Sequence, residues 1–295
     1  MKKNPKVKIS EMFNYLILLT LSLSFVIPVI AIISVSFSDE KTVMFYGYRI
    51  IPSIYSFDAY NILLSNPKAI LDGYKISIAV TFIGTLAGLM ISSMCAYSLS
   101  RTEFRLRRII TFYLFFTMLF SGGLVPQYIL YTQYLHLKNS LLGLMLPILV
   151  NVFFIIVLRT FFQSLPFSII ESAIIDGAGE YRIFFSIVSP LSRPALATVG
   201  LMIMLGYWND WFLALLLVTK MEMRPLQYLL QQMLRQVEEI IRSIAYGDTS
   251  VDVSKLPTET SRMAMAVIAA GPMLFVFPFF QKYFTRGLTV GSVKG

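Results

Sequence analysis

Few side chains in this sequence could make or break a bond. The chain has no G-x-x-x-x-G-K-[ST] phosphate loop, no H-E-x-x-H or G-x-S-x-G signature and no Cys/His cluster. It therefore offers no usual nucleotide cradle and no ready zinc or nucleophile chemistry. The single histidine, His136, reads as an ordinary surface residue with no ligand partners nearby; the single cysteine, Cys95, reads as a small buried hydrophobe. Two polar groups remain. The first is Trp208-Asn209-Asp210-Trp211, inside a long apolar run. An acid there is costly, so it faces protein or water and not hydrocarbon. Two readings fit it. In one, the rings cover the apolar face of a sugar while Asn209 and Asp210 meet its hydroxyls. In the other, the cluster marks the end of a span and Asp210 caps or pairs locally. Asn151, in another apolar run, either bonds a neighbouring helix or lines the same route. The second group is Glu171, Asp176, Glu180 and Arg182, set between two apolar segments. Charges at that density mean the chain has left the bilayer.

Composition says what kind of scaffold carries these groups. The chain has 295 residues, of which 56% are hydrophobic and 14% charged, with a mean hydropathy of +0.70. A soluble domain carries about 25% charge. The difference lies in long apolar runs, so the expectation is an all-α integral membrane protein with six spans. They fall at about 13–37, 76–99, 109–127, 141–158, 194–218 and 263–281, the last with a kink at Gly271-Pro272. Lys2, Lys3, Lys6 and Lys8 precede the first run. That run exceeds a signal-peptide core and has no clear A-x-A site after it, so it reads as a retained span.

Charge orients the spans. With both ends inside, the cytoplasmic pieces are 1–11, 100–108, 159–193 and 282–295, and they hold fourteen Lys and Arg against five acids. The external pieces hold eleven against ten, so the net +9 is almost entirely on one side. That is a positive-inside signal, which removes the motive for a nucleic-acid reading. Among the external pieces, 38–75 carries Tyr46, Tyr48, Tyr55 and Tyr60, read as an interfacial aromatic belt in preference to sugar-stacking groups. In the external loop 219–262, Pro225 opens a helical stretch that Gly247-Asp248 ends. Its apolar stripe is Leu226, Leu229, Leu230, Met233, Val237, Ile240 and Ile241.

Residues 171–190, ESAIIDGAGEYRIFFSIVSP, carry the strongest local pattern. Ile170, Ala173 and Ile174 fall at i, i+3 and i+4, on one helix face. Gly177 and Gly179 break that helix, because glycine readily takes the positive φ of a tight turn. A helix resumes from Glu180 to Val188 and Pro190 stops it. The result is a helix-turn-helix elbow on the membrane surface. This stretch resembles the EAA loop of ABC importer permeases: E-A-A, three residues, G, nine residues, then I-x-L-P. Glu171-Ser172-Ala173, Gly177, Ile187 and Pro190 fall on register, with Ser172 and Ser189 departing from the pattern. Asp176-Gly177-Ala178 is similar to the carbohydrate-uptake, maltose-type branch. So are the Trp208–Trp211 cluster and the terminal GLTVGSVKG, Gly287 to Gly295, which resembles that branch's cytoplasmic tail.

The resemblance implies a permease subunit of an ABC importer for oligosaccharides or related glycosides, multi-pass in a bacterial cell membrane. It implies no enzyme activity and no cofactor in this chain; ATP and magnesium belong to partner ATPase subunits. The other implied partners are a second homologous permease and an extracellular solute-binding protein. The elbow, residues 169–180, would dock on the ATPase, with Ile170, Ala173 and Ile174 giving apolar contact and Glu171 an ion pair. Asp176, Gly177 and Ala178 would form the turn, and Ile187 and Pro190 complete the element. Leu226, Gln227 and Gln231 would meet the binding protein, unless that helix packs on its own bundle. The alternatives are an ABC permease for another solute, such as a peptide or phosphonate, and a membrane-embedded glycolipid-modifying enzyme with Asp210 catalytic.

Overall fold

The computed structural model describes residues 9–245 and 259–290. Expectations that rest on Lys2, Lys3, Lys6 and Lys8, on Gly247-Asp248 and on Gly291 to Gly295 fall outside the described residues. In chain order the helices are α1 (Ile9–Ser36), α2 (Glu40–Tyr46), α3 (Asp58–Leu63), α4 (Pro67–Ser100), α5 (Arg107–Leu119), α6 (Leu124–Tyr134) and α7 (Leu141–Ile148). They continue as α8 (Val152–Gln163), α9 (Phe167–Ile175), α10 (Glu180–Leu191), α11 (Arg193–Asn209), α12 (Phe212–Leu217), α13 (Leu226–Ala245) and α14 (Glu259–Val290). The fold is nearly all helical; a single isolated bridge, Ser38 to Tyr55, is the β pairing among the described residues.

Three stretches, Met12–Ser36, Pro67–Ser100 and Glu259–Gln281, are long and apolar enough to cross a membrane. Six crossings result if each bent pair, α5–α6, α7–α8 and α10–α11, counts as one. The bends are 111°, 54° and 86°. Within the third expected span the helix breaks beside Gly122, Gly123 and Pro126, where glycine and proline signal a break in the sequence. α5 stops at Leu119, and Gly123 takes φ +87° before α6 sets off in a new direction. The fifth expected span is interrupted as well, at Asp210-Trp211 between α11 and α12. α14 instead runs without interruption past Gly271-Pro272.

The chain divides into two compact units. One comprises Met1–Pro67 and Gln232–Pro272. Here α1 keeps its apolar side chains exposed, Phe25 at 76%, which suits hydrocarbon as the surrounding medium. The chain after it is held by polar anchors: Ser34 Oγ donates to the Arg49 carbonyl at 2.8 Å, and Ser36 Oγ meets Tyr60 Oη at 2.9 Å. Glu40 is buried, and its carboxylate accepts from Glu259 N and Thr260 N, both at 2.9 Å, and from Thr260 Oγ1 at 2.6 Å. It thereby caps the first turn of α14 from more than two hundred residues away in sequence.

The other unit comprises Lys68–Gln231 and Met273–Gly295. Its pillar is α4, whose Gly84 and Gly88 form a small-x-x-x-small face. A Cβ at Gly84 would lie 2.5 Å from the Tyr207 ring, and one at Gly88 2.8 Å from the Leu149 carbonyl oxygen. Tyr207 Oη in turn donates to the Met145 carbonyl at 2.9 Å. The glycines thus let α11 and the α7–α8 joint pack against α4 at backbone distance. Farther along, Ser77 Oγ accepts from Leu226 N at 2.8 Å and seats the start of α13.

Asn139 joins two loops of this unit from a left-handed backbone conformation, φ +54°, that asparagine tolerates. Its Oδ1 accepts from Thr219 N at 2.7 Å and Lys220 N at 3.0 Å, and its Nδ2 donates to Thr219 Oγ1 at 2.9 Å. Asn139→Ala removes these exposed bonds and puts alanine at positive φ, which together are expected to cost about 1–3 kcal/mol of stability. Thermal unfolding in detergent checks this; an unchanged midpoint would show that water replaces the lost contacts without penalty.

Candidate functional site

The elbow is built by α9, a four-residue turn and α10. α9 ends in a Schellman arrangement: Ala178 N donates to Ala173 O at 2.9 Å and Gly177 N to Ile174 O at 3.0 Å. Gly177 sits at φ +77°, the left-handed conformation this motif requires. The two faces of α9 have opposite fates. Ile170 and Ala173 are each only 7% exposed and pack into the core with Ile183, Phe184 and Val188 of α10. Little of their surface is left exposed, and they face this chain's own core. The spacing of Ile170 and Ala173 marks the face turned to this chain's own core. Ile174 and Ile175 sit round the helix from it, at 45% and 80% exposure, beside the exposed Glu171. Asp176 is exposed, Ala178 and Ile187 are half-buried, and Pro190 is exposed.

The tryptophan cluster is divided by the fold. Trp208 is buried, with its ring 6.5 Å from that of Tyr74. Asn209 is exposed and donates Nδ2 to the Leu205 carbonyl at 3.0 Å. Asp210 and Trp211 are half-buried at the α11–α12 joint, where Asp210 Oδ1 accepts from Leu213 N at 3.4 Å. Asn151 lies at the α7–α8 joint and is exposed; its Oδ1 caps α8 by accepting from Phe153 N at 2.9 Å. Both in-span polar residues thus serve helix ends that break inside apolar sequence, which is why polar side chains are tolerated there. Leu226 is fully buried, while Gln227 and Gln231 are half-buried. Leu226 therefore seats α13, and the two glutamines hold the accessible surface.

This chain is 39% identical, over 98% of its length and all of the relative's, to the polygalacturonan/rhamnogalacturonan transport system permease protein YtcP of Bacillus subtilis. The chain belongs to the family of sugar ABC transport system permeases. This permease is also 30% identical to the trehalose/maltose transport system permease protein MalG of Thermococcus litoralis, with 91% of each chain covered. Among solved structures, it is similar to a chain of a bacterial ABC transporter involved in the import of the acidic polysaccharide alginate. That match has TM-score 0.76 and 30% identity, and covers 96% of the permease and 99% of that chain. No family model matches. The permease is a transport subunit and not an enzyme.

Proposed function

We propose that this permease is one of two homologous membrane subunits of an ATP-driven importer for oligosaccharides or related glycosides in a bacterial plasma membrane. It crosses the membrane six times with both ends in the cytoplasm, as the positive-inside count supports. An extracellular binding protein delivers the sugar, with Gln227 and Gln231 on the surface that meets it. Asn151, Asn209, Asp210 and Trp211 line part of the route, and the buried Trp208 backs it. ATP and magnesium are held by ATPase subunits, which grip the elbow.

The observation that carries this reading is the elbow itself. Its inner face is locked into the permease core, while Glu171, Ile174 and Ile175 stand out on a rigid helix. A partner that pushes on that exposed face must move the packed helices behind it. Closure of the ATPases on ATP therefore becomes a switch of the spans between inward-open and outward-open states. The names of the relatives support a sugar as cargo.

The test is affinity purification of the tagged permease in mild detergent, with identification of what co-elutes. An ATPase and a second permease are expected. Glu171→Arg with Ile175→Asp is expected to lose the ATPase and keep the second permease. Recovery of the chain alone, stable and monomeric, would overturn the proposal; an ATPase retained by the double variant would place its grip elsewhere.

A further inference from the structure

We infer that Arg101 is a positioning residue that braces both halves of the elbow to the Ser100 end of α4, so that elbow movement is delivered to that pillar helix. The inference rests on the coupling role proposed above. Arg101 follows directly after α4, and its side chain is only 9% exposed. It touches both halves of the elbow. Its guanidinium lies over the ring of Phe167, the first residue of α9, at 5.8 Å. Its Nη2 lies 3.5 Å from Oε1 of Glu180, the first residue of α10. On the other side, Nε stands 3.6 Å from Glu103 Oε2, an ion-pair distance without hydrogen-bond geometry.

Glu180 is tied a second time. Tyr97, in the last turn of α4, donates its hydroxyl to Glu180 Oε2, and its ring packs 5.3 Å from Phe184 of α10. Glu180 and Phe184, one helical turn apart in the elbow's second half, are thus fixed to one end of α4, while Phe167 fixes the first half. A guanidinium this buried is expensive to leave unpaired, so the contacts cannot be given up one at a time without penalty. The pair differs from an ordinary surface ion pair on one side only: Arg101 is buried while the Glu180 side chain is 59% exposed, so solvent screens part of its attraction. The brace lets the elbow swing only together with α4. A recess of about 230 Å³ lies beside Tyr97, Glu180 and Phe184, walled also by Met94, Ser98 and Tyr181.

The experiment places a reporter at the opposite end of α4. Lys75→Cys, in a Cys95→Ser background, carries an environment-sensitive fluorophore; Lys75 is 65% exposed there. The permease is purified together with its ATPase and given MgATP with vanadate, so no sugar need be known. The parent is expected to show a fluorescence change. In Arg101→Gln the change should fall at least about fivefold, the scale of a lost coupling energy, and in Tyr97→Phe, which removes the second tie to Glu180, it should fall as well. In both the ATPase stays bound and hydrolyses ATP, since neither residue lies on the elbow that the ATPase grips. Arg101→Lys, which keeps the cation at this place, should retain most of the signal. A full signal in both Arg101→Gln and Tyr97→Phe overturns the brace. So do a parent that binds ATPase without any change, and an Arg101→Gln that fails to assemble while Tyr97→Phe keeps the full signal. A parent that co-elutes with no ATPase overturns instead the coupling role beneath it.

Discussion

Gly177→Val is expected to abolish uptake while leaving the permease in the membrane at its normal level. The backbone at this position has φ +77°, and a Cβ built there meets nothing within 4 Å. The penalty is therefore conformational and not steric crowding with neighbours. An L-residue in the left-handed region costs about 1–2 kcal/mol, and a β-branched one is a true outlier there. That is small beside the 5–15 kcal/mol of a typical fold, so the bundle survives. The local outcome differs, because the turn has an alternative. It can give up the paired bonds Ala178 N to Ala173 O and Gly177 N to Ile174 O and let α9 end at another angle. Glu171, Ile174 and Ile175 would then no longer meet a rigid partner in register. Gly177→Asn, which tolerates the same conformation, should keep most of the uptake, and Gly177→Ala should fall between. The assay is uptake of a growth-supporting oligosaccharide by whole cells, normalised to permease in the membrane fraction. Normal uptake by the valine variant would refute the role of this turn.

Gly88→Val is expected to have the opposite signature: loss of the folded protein itself. The new Cβ would sit 2.8 Å from the Leu149 carbonyl oxygen, a main-chain atom at the α7–α8 joint that cannot rotate away. Relief requires α4 and the joint to separate, which also strains the Tyr207 to Met145 hydrogen bond on the same face. Overpacking alone costs about 1–3 kcal/mol. Here it adds to the lost close packing on which helices in lipid depend, since no hydrophobic effect drives them together there. Abundance in the membrane fraction and the thermal midpoint in detergent should both fall sharply. Gly84→Ala should be milder, because its neighbour at 2.5 Å is the Tyr207 ring, a side chain with some freedom to turn. Wild-type abundance and midpoint for Gly88→Val would show that α4 does not touch the joint so closely.

The amino-acid sequence by itself determined the family, the helical class and the existence of the elbow. Each is written in local or periodic signals: the length of an apolar run, the offset from Glu171 to Gly177 to Pro190, the glycine that a left-handed turn needs. The tertiary structure alone decided how those elements are used. Nothing in the spacing of Ile170, Ala173 and Ile174 says which of them faces home, because an apolar stripe serves a core and a docking surface equally well. The same ambiguity hid the burial of Leu226 on α4. The break at 120–123 was marked by Gly122, Gly123 and Pro126, but those at 149–151 and 210–211 escaped the hydropathy pattern. Hydropathy measures transfer into lipid, and a broken helix is as apolar as a straight one once its ends are capped by residues such as Asn151 and Asp210. The brace was equally silent in the sequence. Arg101 and Tyr97 meet Glu180 across 79 and 83 residues, and a pairing that distant is settled only when packing brings the end of α4 against the elbow.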